Sequence, residues 1–263
     1  MTLAFERRGG RTVLTRSRFT LPLQVMTPMD LDDPAAVVSV LNPTGGLVGG
    51  DRLSIDVTVA LKAHAVLTTP SATKVYRAAG PPTMQDVTLR VADDAVLEWV
   101  PDHTIPFAGA AFRQRIGVEL GDGARLILVD AWAAGRVARA EAWTFAELAS
   151  ALAVRDRAGW IFLDRFVLTG AARWAGLGLA EGHPYFATIV IVGDDTAGLG
   201  RAVADAIGPR DDVVLAVGAL ARRGAVVRCL ALTAPALTAT VDAVWTLARR
   251  RLIGVPPPAL RKG

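Results

Sequence analysis

Four side chains are the best placed in this sequence to do chemistry: Asp51, Glu98, Asp102 and His103. They offer carboxylate oxygen and imidazole nitrogen without thiolate, a donor set suited to transient binding of a borderline divalent metal. Each stands at the end of, or inside, an apolar stretch, so stacking those stretches would bring the four close together. Two carboxylates reaching one water could also do hydrolytic acid–base work, with Asp51, Glu98 and Asp102 as the candidates. Turn capping plus salt bridges with Lys74, Arg77 and Arg113 accounts for the same residues without any chemistry, since charged groups near turns are mostly solvated.

Asp51 closes a glycine-rich stretch, Asn42-Pro-Thr-Gly-Gly-Leu-Val-Gly-Gly-Asp51. Gly45 and Gly50 have the spacing of a phosphate-binding loop, but Asp51 stands where that loop needs lysine. No G-x-G-x-x-G dinucleotide fingerprint is present here, and Asp51 alone does not make a calcium loop. Glycine tolerates positive φ and close backbone approach. The pairs Gly45–Gly46 and Gly49–Gly50 therefore predict a tight backbone crossing that leads into a strand near Leu53. On this reading Asp51 sits near the inside of the fold, with Lys74–Arg77 close by.

The remaining reactive residues point away from familiar sites. His64, His103 and His183 are far apart, and there is no H-x-x-x-H or C-x-x-C pair for a conventional zinc centre. His64 follows a turn and is expected at the surface. No G-x-S-x-G elbow occurs. The single cysteine, Cys229, lies inside an apolar strand, where an inert buried thiol is the default. The acid pairs Asp93–Asp94, Asp194–Asp195 and Asp211–Asp212 fall at turns and read as turn and cap chemistry.

The elements that must position these residues repeat. Asp56-Val-Thr-Val-Ala-Leu-Lys-Ala-His-Ala-Val-Leu67 returns as Asp86-Val-Thr-Leu-Arg-Val-Ala-Asp-Asp-Ala-Val-Leu97, 30 residues later, and weakly as Ile116–Leu128 with the turn Gly121-Asp122-Gly123. Apolar residues alternate in each first strand (Ile55, Val57, Val59; Val87, Leu89, Val91; Ile116, Val118, Leu120), so each unit has one buried face. The expected fold is mainly β, with β-hairpin layers stacked in a solenoid-like two-layer arrangement over residues 1–263 as one domain. Residues 1–11 read as a flexible or edge-pairing start, Arg11–Phe19 as a half-exposed strand and Met29–Pro34 as an acidic loop. Glu147–Leu168 fits a helix and strand or, with the turn Asp156–Gly159, a hairpin. Tyr185–Val192, Val213–Val217 and Ala225–Leu232 read as strands.

Two helices are expected. Asp194 and Asp195 would cap one that runs through Leu199, Val203 and Ile207. The other starts at Thr233-Ala-Pro235 and buries Val241, Val244, Trp245, Ala248 and Leu252. Gly254 ends it, with Arg249–Arg251 on its C-terminal dipole.

Composition bounds the function classes. The chain has 263 residues, 52% hydrophobic and 6% aromatic, with net charge +4. Its basic character lacks the dense stripe with interleaved aromatics that nucleic-acid binding uses, and fits an acidic protein partner as well. No apolar run reaches the ~18 residues of a membrane span, and the charged start shows no secretory h-region. One cysteine precludes an internal disulfide. A cytoplasmic protein, with neither nucleic acid nor membrane as partner, is expected. Mean hydropathy is +0.36, which predicts apolar interfaces and poor solubility without partners.

Several segments together resemble the UreD/UreH family of urease accessory proteins. N-P-T-G-G-L-V-G-G-D-R-L at 42–53 and V-L-T-T-P-S-A-T-K-V-Y-R at 66–77 are similar to its signature. The positions that carry the likeness are Asn42, Pro43, Gly45, Gly46, Gly49, Gly50, Asp51, Thr69, Thr73, Lys74, Tyr76 and Arg77. L-E-W-V-P-D-H-T-I-P-F at 97–107, with Trp99 and Pro101, is similar to the family's L-E-W-L-P-Q-E-T-I-x-F, and Gly135-Arg136 to its glycine–arginine pair. The tail 252–262 is similar as well. His103 departs from the usual glutamate and Ala108 from a common aspartate.

The resemblance implies a non-enzymatic maturation factor. It would bind apo-urease and join UreF-type and UreG-type partners, with a homodimer through or beside the UreF-type partner. It would hold no tightly bound cofactor. Nickel would pass in transit along an internal route for which Asp51, Glu98, Asp102 and His103 are the candidates, while GTPase activity would belong to the UreG-type partner. A hydrolase built on the carboxylates, or a β-solenoid binding module with no metal role, are the alternatives.

Overall fold

The computed structural model describes residues 1–29, 31–169, 174, 176–194 and 196–260. Asp30 of the acidic loop, Asp195 of the expected cap and Arg261 and Lys262 of the tail lie outside the described residues.

The strands are β1 (Thr2–Arg8), β2 (Arg11–Arg18), β3 (Gln24–Val25), β4 (Ala36–Leu41), β5 (Arg52–Val59), β6 (His64–Thr68), β7 (Thr73–Val75), β8 (Thr83–Val91), β9 (Val96–Val100), β10 (Thr104–Pro106), β11 (Ala111–Leu120), β12 (Arg125–Ala133), β13 (Glu147–Asp156), β14 (Gly159–Thr169), β15 (Tyr185–Val192), β16 (Val213–Ala219) and β17 (Gly224–Ala231). The helices are α1 (Leu199–Ile207) and α2 (Ala234–Ile253). One sheet runs β14-β13-β11-β8-β5-β1-β2. The other runs β16-β17-β15-β12-β9-β6-β4-β3, with β10 branching from β12 and carrying β7. The expectation of a mainly β, stacked, two-layer fold with two helices holds.

The repeat differs from expectation in one respect. The two arms of each unit do not pair with each other as hairpins. β5, β8 and β11 pair in parallel in the first sheet, and β6, β9 and β12 in the second. Each unit is therefore an arch between the sheets. The corners stack too: Lys62 N–H donates to Asp93 O and Asp94 N–H to Asp122 O. Lys62, Asp94 and Gly123 all take positive φ at the same place in successive corners. The register pairs Ser54 with Asp86 and Asp56 with Thr88, two residues out of step with the sequence repeat. A slip of two keeps every side chain on its face, because strand side chains alternate with period two.

Between the sheets, Ile55, Val87, Ile116 and Leu152 form one apolar rung, and Val57, Leu89, Val118 and Val154 the next. Burying each such side chain contributes about 1.5–3 kcal/mol. A second core forms where α1 and α2 cover the other face of the second sheet, around Val66, Ile127, Ile189, Val244 and Leu252.

Local expectations fared unevenly. The start of the chain is neither flexible nor an edge, because β1 sits between β2 and β5 with Leu3 and Phe5 fully buried. Glu147–Thr169 is an antiparallel hairpin. Thr233 caps α2, its Oγ1 accepting from Ala236 N–H at 3.2 Å. The residue at the N-cap of α1 is Gly198, with no side-chain cap, so Asp194 does not cap it.

Candidate functional site

The glycine loop belongs to a column of return connections that lead from the second sheet back to the first. Asn42 organises it: its Oδ1 accepts from Thr44 N–H (2.9 Å) and Thr44 Oγ1 (2.6 Å), and its Nδ2 donates to Gly46 O (3.0 Å). Leu47 then exchanges backbone bonds with Lys74 and Tyr76. The four glycines divide into two kinds. Gly45 and Gly50 take φ of +88° and +89°. Gly46 and Gly49 are there for space: a Cβ on Gly46 would lie 2.9 Å from Lys74 O, and one on Gly49 2.9 Å from Ala78 Cα.

The next connections stack in turn, β7 on β10, then Ala78 N–H on Gly109 O and Gly109 N–H on Thr144 O. A chain of side chains follows the same line. Tyr76 OH donates to Gly45 O, the Tyr76 ring meets Phe107 edge-on at 5.1 Å, and the Arg136 guanidinium lies 4.3 Å from the Phe107 ring centre. Arg136 is held by two bonds to Glu141, whose backbone oxygen would lie 2.2 Å from any Cβ on Gly135.

Inside the stack one rung is polar. Register places Leu53, Gln85, Gln114 and Ser150 side by side across the first sheet. Gln85 Nε2 donates to Gln114 Oε1 (3.0 Å), and Gln114 Nε2 donates to Asp130 Oδ1 (2.9 Å). Ser150 Oγ donates to Asp130 Oδ2 (3.2 Å). Asp130 comes from β12 in the facing sheet and is 8% exposed. Burial pushes its carboxyl up to about 6, against smaller opposing effects of Gln114, Trp132 and Ser150. No Lys or Arg pairs with it among the described residues. Beside it lies a cavity of about 70 Å³, lined by Gln85, Gln114 and Asp130 and, toward the return connections, by Thr73, Asp102 and Thr104. Apolar side chains, among them Leu47, Ile55, Leu67 and Trp99, complete its lining.

On the other face of the second sheet Glu98 is fully buried beneath α2. Its Oε1 lies 2.6 Å from His64 Nε2 and accepts from Arg249 Nε at 2.9 Å, and its Oε2 accepts from Trp245 Nε1 at 2.5 Å. Arg249, also fully buried, forks onto Asp33 at 2.8 and 2.6 Å and donates to Pro256 O. Burial alone would raise the Asp33 carboxyl; the Arg249 bonds and the Ala35 N–H outweigh it and hold it low.

Comparison with known proteins decides the family. The model of the UreD urease accessory protein family matches residues 1–262. The chain belongs to the UreD family. Relatives include a urease accessory protein UreD of Pseudomonas fluorescens, 36% identical over 98% of this chain and 92% of its own length. That of Deinococcus radiodurans is 33% identical over 100% and 94%, and that of Delftia acidovorans 39% identical over 70% and 60%.

Against this UreD-family background, the four candidate residues separate. Asp51 stands in a turn, partly exposed, its Oδ2 accepting from Val48 N–H at 2.9 Å. The loop does lie on residues 74–78, but Asp51 lines neither of the two cavities that Asp102 lines. Glu98 is committed to Arg249, Trp245 and His64. Asp102 and His103 stay together. Both line an open groove of about 480 Å³ between the second sheet, α2 and the tail at Pro256–Pro258, and Asp102 lines the inner cavity as well. The His103 ring meets Tyr185 edge-on at 5.9 Å. No group of three metal-ligating side chains is assembled among the described residues. The three carboxylates of the hydrolase reading, Asp51, Glu98 and Asp102, are not gathered at either of these cavities: only Asp102 lines them.

The expected salt bridges differ as well. Arg113 pairs with Glu147 rather than with the candidate acids. His64 is buried rather than at the surface; of the arginines expected on the dipole of α2, Arg250 and Arg251 lie in its last turn, while Arg249 is buried against Glu98 and Asp33. Cys229 is buried as expected, its thiol pushed up to about 12 by desolvation. Sequence reasoning missed Asp130, Gln85, Gln114 and Ser150. Their signal was present in the alternation: Gln85 and Gln114 have the inward parity of Val87 and Ile116 yet are polar.

Proposed function

We propose that this chain is a cytoplasmic maturation factor for urease that performs no catalysis itself. It binds apo-urease and, with UreF-type and UreG-type partners, supports nickel insertion and assembly of the urease active site. Nickel is the cargo and not a resident cofactor. Its route runs from the groove, past His103 and Asp102, into the cavity beside Asp130. The return connections form the rigid rim of that route, which is the part the signature residues play.

The observation that carries this reading is Asp130. With a pKa of about 6 it is mostly ionised at neutral pH, its hydrogen-bond partners are a neutral amide and a hydroxyl, and it lines an internal cavity that Asp102, Thr73 and Thr104 also reach. A buried carboxylate with no counter-charge attracts a cation. Oxygen and imidazole donors suit passing nickel: they bind it without the grip of thiolates. Membership of a family of urease accessory proteins supports the choice of cargo and partners.

The test is urease activation in cells that lack this protein, complemented with the wild type, Asp130→Asn, Asp102→Asn and glycine-loop variants. Asp130→Asn and Asp102→Asn should still co-purify with apo-urease while nickel per urease falls several-fold. Full nickel loading with both variants would favour a binding module with no metal role. A folded sample that captures neither apo-urease nor a UreF-type partner would sink the whole reading.

A further inference from the structure

We propose that the free edge of β2 is a docking site for an acidic, extended protein segment, which adds to the first sheet as its eighth strand. The inference rests on the fold and charges alone and does not depend on the urease reading.

β2 ends the seven-stranded sheet, and β1 is its only strand partner among the described residues. The far side of its backbone is left without a ladder. Such an edge is a template for another strand. The pairing of β1 with β2 carries a bulge: Ala4 faces Arg16, but Phe5 faces Leu14, leaving Thr15 as the extra residue. A bulge re-aims the side chains beyond it. Here it brings Arg16 and Arg18 onto the outer face with Arg11 and Val13, while Leu14 still turns inward with Phe5. Were Thr15 part of a regular ladder instead, alternation from Leu14 would point Arg16 and Arg18 toward the core.

Elsewhere on the outer face most arginines have a carboxylate partner, Arg52 and Arg165 being exposed exceptions on separate strands. Arg8 pairs with Glu6, Arg90 with Asp56 and Glu119, Arg115 with Asp86, Arg113 with Glu147, and Arg155 with Glu119. Arg11, Arg16 and Arg18 are exposed, and no carboxylate among the described residues lies in salt-bridge range of them. Three unmatched arginines along one open strand disfavour a second copy of β2, which would set like charges against each other, and favour a strand with acidic side chains on that face. Nucleic acid is the less apt occupant: β2 is a strand edge rather than a groove, and it carries no row of aromatics on which bases could stack.

The probe is a labelled eight-residue peptide of alternating Glu and Val, titrated into the full chain by fluorescence anisotropy. A copy methylated at alternate amide nitrogens keeps the charge and removes the ladder. We expect the unmethylated peptide to bind with salt-sensitive affinity and to slow amide exchange across Thr12–Arg18. The methylated copy should bind at least tenfold more weakly. Arg16→Gln/Arg18→Gln, folded by circular dichroism, should weaken binding roughly 2- to 30-fold. Equal binding of the methylated copy, unchanged binding by that variant, or tighter binding of a single-stranded oligonucleotide or phosphatidylserine vesicle would each overturn the proposal. So would unchanged exchange at β2 in the saturated wild-type protein.

Discussion

Arg249→Met is the substitution that tests the buried network most directly. Arg249 is the one guanidinium serving both Glu98 and Asp33, and none of the three is open to water: Arg249 and Glu98 are fully buried and the Asp33 side chain is 7% exposed. Methionine keeps the apolar stem and removes the charge, leaving two carboxylates uncompensated beneath α2. Breaking a buried pair in this way costs about 3–5 kcal/mol, a large part of the 5–15 kcal/mol that roughly bounds a domain's stability. At about 2–4 °C per kcal/mol for a chain of this size, the melting temperature should fall by roughly 6–20 °C.

The assay is urea and thermal unfolding by circular dichroism, with Arg250→Met as an exposed control expected to shift stability by no more than about 0.5 kcal/mol. Because a proton relieves an unpaired buried carboxylate, the gap should narrow as pH falls from 8 to 5. Pairing Arg249→Met with Glu98→Gln should cost less than the sum of the two, with a coupling of about 1–3 kcal/mol. A loss below about 1 kcal/mol for Arg249→Met, or strict additivity with Glu98→Gln, would refute the argument that this arginine holds the helix to the sheet.

Three further outcomes follow from the same geometry. Asp130 titrates near 6 in the fold against a usual 3.8, so the folded state takes the proton more readily and stability falls as pH rises from about 4 to 6. Asp130→Asn should therefore be more stable than the wild type by up to about 3 kcal/mol at pH 8 and no different near pH 4; an equal gain at both pH values in chemical unfolding would contradict this. Gly49→Ala, which drives a Cβ into the Ala78 backbone, should cost about 1–3 kcal/mol through overpacking. Gly50→Ala, in open space at φ +89°, should cost about 1–2 kcal/mol from backbone strain alone, so Gly50→Asn should recover part of the loss where Gly49→Asn does not. Cys229 should resist iodoacetamide at pH 8 in the native protein and react once urea unfolds it, because its thiol is buried and held protonated.

The stacking was legible in the sequence because it rests on alternation, a local signal that both arms of each unit carry. Ile55, Val57 and Val59 face inward whichever strand they pair with. What the arms pair with was not legible, because an arch and a hairpin present the same strand–turn–strand pattern, and only the contact with the next unit tells them apart. The polar partners of Glu98 were hidden for the same reason. His64 and Arg249, and the Asp33 that Arg249 also holds, come from three distant parts of the chain, and a residue after a turn or within an arginine run looks solvated until another element covers it. The glycine loop was read correctly as a backbone crossing, yet sequence alone did not divide its glycines. The need for space at Gly46 and Gly49 is set by residues 74–78, which only the fold brings there.

The polar rung has a meaning that the signature lacks. In a stack of arches each rung touches only its neighbours, so one can turn polar while the rungs around Ile55 and Val57 keep the sheets together. Leu53 shows that an apolar side chain fits at one end of that rung; in the next three layers the same level holds Gln85, Gln114 and Ser150. Filling those positions with leucine would bury more apolar surface and release Asp130 from the core. A chain shaped by stability alone has no reason to keep an unpaired carboxylate there. The return connections, by contrast, are explained in full by backbone geometry: positive φ, close approach, and bonds that lock one layer to the next. The rung is where packing alone would have chosen other residues, and so where the proposed role of the stack is to be tested.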